Sequence, residues 1–198
     1  SLCEILYKID NGNIEEYVYK LYIDIDCYVR TQEDADRIDK EIKQKFIDEV
    51  HRVLEKTEYI KYHFNKDEVI ILDATRTVVK NETEYIKKSK HILFPVYLDK
   101  IDDIKILFTY LMTKINISKE LYDCIDTIPY KKNYQAFRLP FQSKSQDRKI
   151  IEGSILNVEV PAKNGNYLIT QLRSQNDNIF DIEKVNDSLY ATAKYKCI

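Results

Sequence analysis

A chain of 198 residues, 44% of them hydrophobic, has the size of one domain and enough apolar material to bury a core. Its formal net charge of −2 draws it to neither nucleic acid nor an anionic membrane, so any phosphate-binding surface must come from local clustering. The scattered Cys3, Cys27, Cys124 and Cys197 have no zinc-ligand spacing, no apolar run reaches the ~20 residues of a membrane span, and no signal-peptide pattern is present.

These features predict an intracellular protein with reduced, mostly buried thiols and no membrane partner. Three glycines and four prolines argue against linkers and repeats. The chain begins at Ser1 rather than Met, which is expected of a piece of a longer protein.

In chain order, residues 3–8 and 16–29 read as strands, with Asn11-Gly12-Asn13 as a hairpin turn between them. Thr31 is placed to cap a helix running to about residue 56, with Glu33, Asp34 and Asp36 in its first turn and apolar residues from Ala35 to Leu54 at helical spacing. Val69–Leu72 and His91–Val96 read as buried strands. Residues 99–116 form a second amphipathic helix, and Ser118 caps a third ending near Ile125. The remainder alternates strands with polar turns such as Asn164-Gly165-Asn166, and residues 174–198 are weakly patterned. The expected fold is one α/β (α+β) domain over residues 1–198, a mixed sheet covered by at least two helices.

Three constellations carry chemistry. Asp24 and Asp26 lie two apart on a predicted strand, so both carboxylates share a face. Two such charges suit a hard divalent cation, although two acids on the solvent face of a strand have the same spacing. Lys87, Ser89 and His91 enter a strand at alternate positions and offer an ammonium, a hydroxyl and an imidazole to phosphoryl oxygens. An exposed lysine run ending in a core histidine would read the same way. Between 131 and 149, Lys131, Lys132, Arg138, Lys144, Arg148 and Lys149 face one acid, Asp147, with Tyr130, Tyr134 and Phe137 interleaved. That segment suits phosphates and stacked bases, or a solvated loop. There is no P-loop, dinucleotide fingerprint or nucleophile elbow, and His51 and His63 read as surface residues.

Taken together, the motifs resemble the archaeo-eukaryotic primase superfamily, nearest to its primase-polymerase branch and the primase domains of large DNA viruses. The matching positions are Asp24 and Asp26, then Ser89 and His91, then Asp126. Ile71-Leu72-Asp73-Ala74-Thr75 looks like a strand end of that family, and Lys87-x-Ser89-x-His91 like its K-x-S-x-H. Asp126-x-x-x-Tyr130-x-Lys132-Asn133, Phe137-Arg138-Leu139 and Ser143-Lys144 look like its third block, with one extra residue between Asn133 and Phe137. The likeness covers roughly residues 16–150; the Cys/His zinc module of many relatives is missing, and residues 151–198 match nothing particular.

The resemblance implies a template-directed nucleotidyltransferase, a DNA primase or primase-polymerase. Asp24, Asp26 and Asp126 would hold two Mg²⁺ or Mn²⁺ ions, and Lys87, Ser89, His91, Arg138 and Lys144 would grip the incoming dNTP or NTP. Arg148 or Lys149 could fill the role of Lys144, and Asp73 reads as structural. The implied partners are a single-stranded DNA template and a fused or associated helicase. The alternatives are a catalytically silent primase-like module that binds nucleic acid or docks a helicase, and a metal-dependent nuclease, which shares paired carboxylates but needs no triphosphate grip.

Overall fold

The computed structural model describes residues 3–7, 17–56, 60–130, 134–146, 149–163, 165–172 and 178–196, with backbone only for 3–7, 134–136, 145–146, 171–172 and 190–196. It is an α/β fold in which helices flank an antiparallel sheet. The strands are β1 (Cys3–Tyr7), β2 (Tyr17–Val29), β3 (Ile70–Asp73), β4 (Arg76–Lys80), β5 (Thr83–Leu98), β6 (Tyr134–Arg138), β7 (Ser145–Gln146), β8 (Lys149–Ile150), β9 (Asn157–Val160) and β10 (Thr170–Leu172). The helices are α1 (Gln32–Glu41), α2 (Ile47–Lys56), α3 (Ile101–Lys114), α4 (Lys119–Cys124) and α5 (Ile182–Lys196).

The main sheet runs β10-β2-β5-β3-β9, with β4 also pairing with β5. Its named strand pairs are all antiparallel, which corrects the expected mixed sheet. The reason is topological. The helical crossover from β2 to β3 leaves those two strands parallel to each other, as such crossovers do. The long β5 then lies between them and runs against both. The expected pairing of β1 with β2 is also corrected: β1 pairs with β6, while the two sides of β2 are taken by β5 and β10. The turn residues Asn11–Asn13 fall outside the described residues.

The first helix forms for the reasons its sequence gives. The Thr31 hydroxyl accepts a hydrogen bond from the Asp34 N–H, capping α1. A π-helical turn, Ile42–Phe46, joins α1 to α2. Ala35, Ile38, Ile42, Phe46, Val50, Val53 and Leu54 are buried along the stripe. This helical layer covers the sheet face that carries Ile23, Ile25 and Phe94, with Phe46 edge-on to Phe94 at 6.2 Å. Ser118 caps α4 through its hydroxyl, which accepts from the Leu121 N–H.

Two elements were not anticipated. β4 and β5 form a hairpin across Asn81-Glu82, whose φ angles of 50° and 61° are those of a two-residue turn built without glycine. α5 occupies the weakly patterned C-terminal stretch and packs against α3.

Candidate active site

The site is built by the register of β2 on β5. Asp24 stands opposite His91, Asp26 opposite Ser89 and Tyr28 opposite Lys87. Directly opposed residues share a face, so the acidic pair and the Lys87-x-Ser89-x-His91 triplet look at each other on one surface. Ile25 between them and Ile23 before them are fully buried on the other face, which fixes the alternation, since a one-residue slip would turn the acids into the apolar layer under α1 and α2.

Asp126 joins them through the chain that leaves α4. Ile125 bridges Ile25 in antiparallel fashion, and the Asp126 N–H donates to the Asp24 carbonyl at 2.8 Å. The Asp126 carboxylate accepts from the Ile128 N–H at 2.8 Å, an Asx turn that holds its side chain. Tyr130 secures the segment. Its hydroxyl donates to the Tyr22 carbonyl at 2.5 Å, and its ring stacks on Tyr22 and Phe108 at 5.3 and 3.8 Å. Phe137 packs edge-on to both Tyr22 and His91.

Arg138, the last residue of β6, and Lys144, in the loop beyond it, lie near the same face. An Arg138 Nη donates to the Ser154 carbonyl at 2.5 Å, and the Lys144 N–H donates to Ser154 Oγ at 2.8 Å. Ser154 is fully buried and passes its own hydroxyl proton to the Ile151 carbonyl at 2.6 Å. It therefore holds the Arg138 guanidinium and the Lys144 backbone, a role that no sequence motif announced. Lys131, Lys132, Asn133 and Arg148 lie outside the described residues, and Lys149 is exposed.

The electrostatics follow from this crowding. Burial, then Asp26 and Asp126, push the Asp24 carboxyl up to about 7, against the opposing pull of Arg138 and Lys87. The Asp24 side chain is only 17% exposed. Lys87 Nζ sits 2.8 Å from one oxygen of Asp26, while the other oxygen is buried with no hydrogen-bond partner among the described residues. Burial, with Arg138 and Lys144 nearby, lowers the His91 imidazole to about 3, so it is neutral at physiological pH. Its Nε2 stands 3.7 Å from Asp24, too far for a hydrogen bond, and its Nδ1 is buried without a partner among the described residues.

Asp24, Asp26 and Asp126 repel one another, and an orphaned Asp26 oxygen lies beside the Lys87 ammonium, donor chemistry that suits a hard divalent cation. Among the described residues, however, only His51, Glu55 and His63 bring three ligand atoms within 4.8 Å of one another, so the three carboxylates would have to draw closer to share one ion. The unsatisfied imidazole and the cations beside it fit an anionic ligand.

The opposite face of β5 carries a different cluster. Lys90 is buried with Nζ 2.5 Å from Glu159, 3.1 Å from Asp39 and 3.3 Å from Asp73. Lys88 pairs with Asp39 at 2.6 Å and Lys43 with Glu159 at 2.5 Å. Asp73 also accepts from the Thr75 hydroxyl at 2.6 Å, which agrees with a structural role. Cys27 and Cys124 are free thiols hydrogen-bonded to each other. His63 is exposed as expected, but the His51 side chain is only 13% exposed and packs edge-on to Phe64, which corrects its reading as a surface residue; both approach Glu55, at 3.3 and 3.5 Å respectively. No described helix is long and apolar enough to cross a membrane.

Comparison with models of known families and with characterised proteins gives no match.

Proposed function

We propose that this domain is a template-directed nucleotidyltransferase of the primase or primase-polymerase kind. The observation that carries the reading is the convergence of Asp24, Asp26 and Asp126 on one sheet face against Lys87, Ser89 and His91. Carboxylates alone would suit a nuclease equally. The facing set of cations and donors, with Arg138 and Lys144 beside it, favours transfer from a nucleoside triphosphate.

In this reading Asp24, Asp26 and Asp126 would hold two Mg²⁺ or Mn²⁺ ions. When bound, such ions lower the pKa of an attacking 3′-hydroxyl and neutralise the departing pyrophosphate. Arg138 and Lys144 take the substrate's phosphates from the loop side. Lys87 can exchange its Asp26 partner for a phosphate oxygen as the triphosphate arrives. Neutral His91 donates one ring N–H to a phosphate oxygen, a hydrogen bond and not an ion pair. Ser89 adds a hydroxyl beside it. These groups stabilise charge that grows on the phosphoryl oxygens as the 3′-oxygen bonds to the α-phosphorus and the bond to the β-phosphate breaks.

The test is extension on a single-stranded DNA template with labelled dNTPs or NTPs and Mg²⁺ or Mn²⁺, with and without primer. Products are expected in the wild type and absent in Asp24→Ala/Asp26→Ala. Shortened strands would point to the nuclease. No incorporation and no nucleotide binding would leave a silent binding module, for which a helicase is the expected partner.

A further inference from the structure

The face that holds the carboxylates continues past them. Along β2 the alternation that exposes Asp24 and Asp26 next presents Tyr28 and then Arg30. Along β5, read backwards from His91 and Ser89, it presents Lys87 and then Tyr85. β4 extends the surface, with Arg76 opposite Lys87, Val78 opposite Tyr85 and Lys80 opposite Thr83. The two tyrosine rings meet edge to face at 6.2 Å. Arg30 lies over the Tyr85 ring at 5.8 Å, and Lys80 and Lys87 lie over Tyr28 at 4.8 and 5.3 Å. Tyr28 is 44% exposed, and Arg30 and Lys80 are exposed. Arg76 Nε is buried and has no hydrogen-bond partner among the described residues.

A tyrosine pair of this kind stabilises a hairpin by itself. It does not require four cations. Arg30, Lys80 and Lys87 gather around two rings, with Arg76 opposite Lys87 on the same face and donating to the Ala74 carbonyl at 3.2 Å, while the hairpin's own acids, Glu82 and Glu84, lie at the turn and on the alternate side of the ribbon. Of the four, Lys87 alone is matched by a carboxylate in the ion pairs described, and that carboxylate is Asp26. Like charges held together repel, and a polyanion relieves that repulsion. Aromatic faces beside cations are the recognition chemistry of unpaired bases on a phosphate backbone. With a net charge of −2 for the whole chain, binding a strand needs such a local surface.

We infer that Tyr28, Tyr85, Arg30, Arg76 and Lys80 form a stacking shelf for a single nucleic-acid strand running up to the carboxylates. The inference rests on the nucleotidyl-transfer reading only in naming that strand as the template.

The test is anisotropy of a fluorescein-labelled oligothymidylate titrated with the intact chain over a range of salt, beside Mn²⁺-dependent binding of a labelled dNTP. Tyr85→Ala should weaken oligothymidylate binding about tenfold and Tyr85→Phe should restore most of it. Lys80→Glu should flatten the salt dependence. Neither change should move dNTP binding, and circular dichroism should show both variants folded. A wild type that does not bind the oligonucleotide, or variants that bind it as well as the wild type, would overturn the shelf, as would a loss confined to dNTP binding. If the wild type binds the oligonucleotide through Tyr85 but binds no dNTP, the shelf stands and the nucleotidyl-transfer reading falls.

Discussion

Asp24 is the most strongly perturbed carboxylate of the candidate site, and its protonation is measurable. In the unfolded chain it titrates near 3.8, whereas in the fold burial and two neighbouring carboxylates raise it to about 7. The native state therefore binds the proton more tightly, and its stability contribution is fullest below the unfolded value. That contribution is lost as pH rises from about 4 through 7 and the carboxyl must ionise beside Asp26 and Asp126. The shift corresponds to on the order of 4 kcal/mol before any relaxation. In chelator-treated protein, Asp24→Asn should raise the melting temperature at pH 8 by several degrees and change it little at pH 4. Thermal melts at the two pH values check this; an equal effect at both would show that Asp24 is not held in this way. His91 behaves oppositely, being held neutral by burial and two cations. If the proposed nucleotidyl transfer holds, its replacement by Ala should lower kcat/KM for the nucleotide by roughly a hundredfold, the order expected for one lost donor to transition-state charge. Steady-state kinetics would return it to a packing role if kcat and KM were both unchanged.

At the scale of elements, β5 joins the two faces. Its odd positions 87, 89 and 91 serve the site, and its even positions 88 and 90 anchor the strand to α1 and β9 through a network of Lys43, Lys88 and Lys90 with Asp39, Asp73 and Glu159. Three cations against three anions leave this network neutral, but losing one member strands a buried charge. Lys90→Ala should cost roughly 3–5 kcal/mol in urea unfolding; a change within 0.5 kcal/mol would show the network to be idle. The alternation of Lys87, Ser89 and His91 was legible, as was the shared face of Asp24 and Asp26, because a strand's period is short and local. The partners of Lys88 and Lys90 were not, since they come from a helix and two strands far along the chain. The β4–β5 hairpin escaped because Asn81-Glu82 lacks the glycine that usually marks such a turn. Ser154 escaped because its value lies in what its carbonyl and hydroxyl hold, which no spacing encodes.

For the whole molecule, the helical stripe from Thr31 to Lys56 was readable as a layer over a sheet, while strand order was not. Hydrophobic alternation identifies strands but not their neighbours, so β5 between β2 and β3, and β1 beside β6, emerge only in three dimensions. That order brings residues from positions 24, 91, 126 and 138 to one surface. The measurement that bears on this most directly is Mn²⁺ binding followed by electron paramagnetic resonance in the presence of a non-hydrolysable nucleoside triphosphate. The proposed nucleotidyl-transfer reading predicts saturable binding approaching two ions per chain, lost in Asp24→Ala and in Asp126→Ala while both variants remain folded. Mn²⁺ binding that is absent in the wild type, or unchanged in both variants, would contradict the assignment of these carboxylates to a metal site.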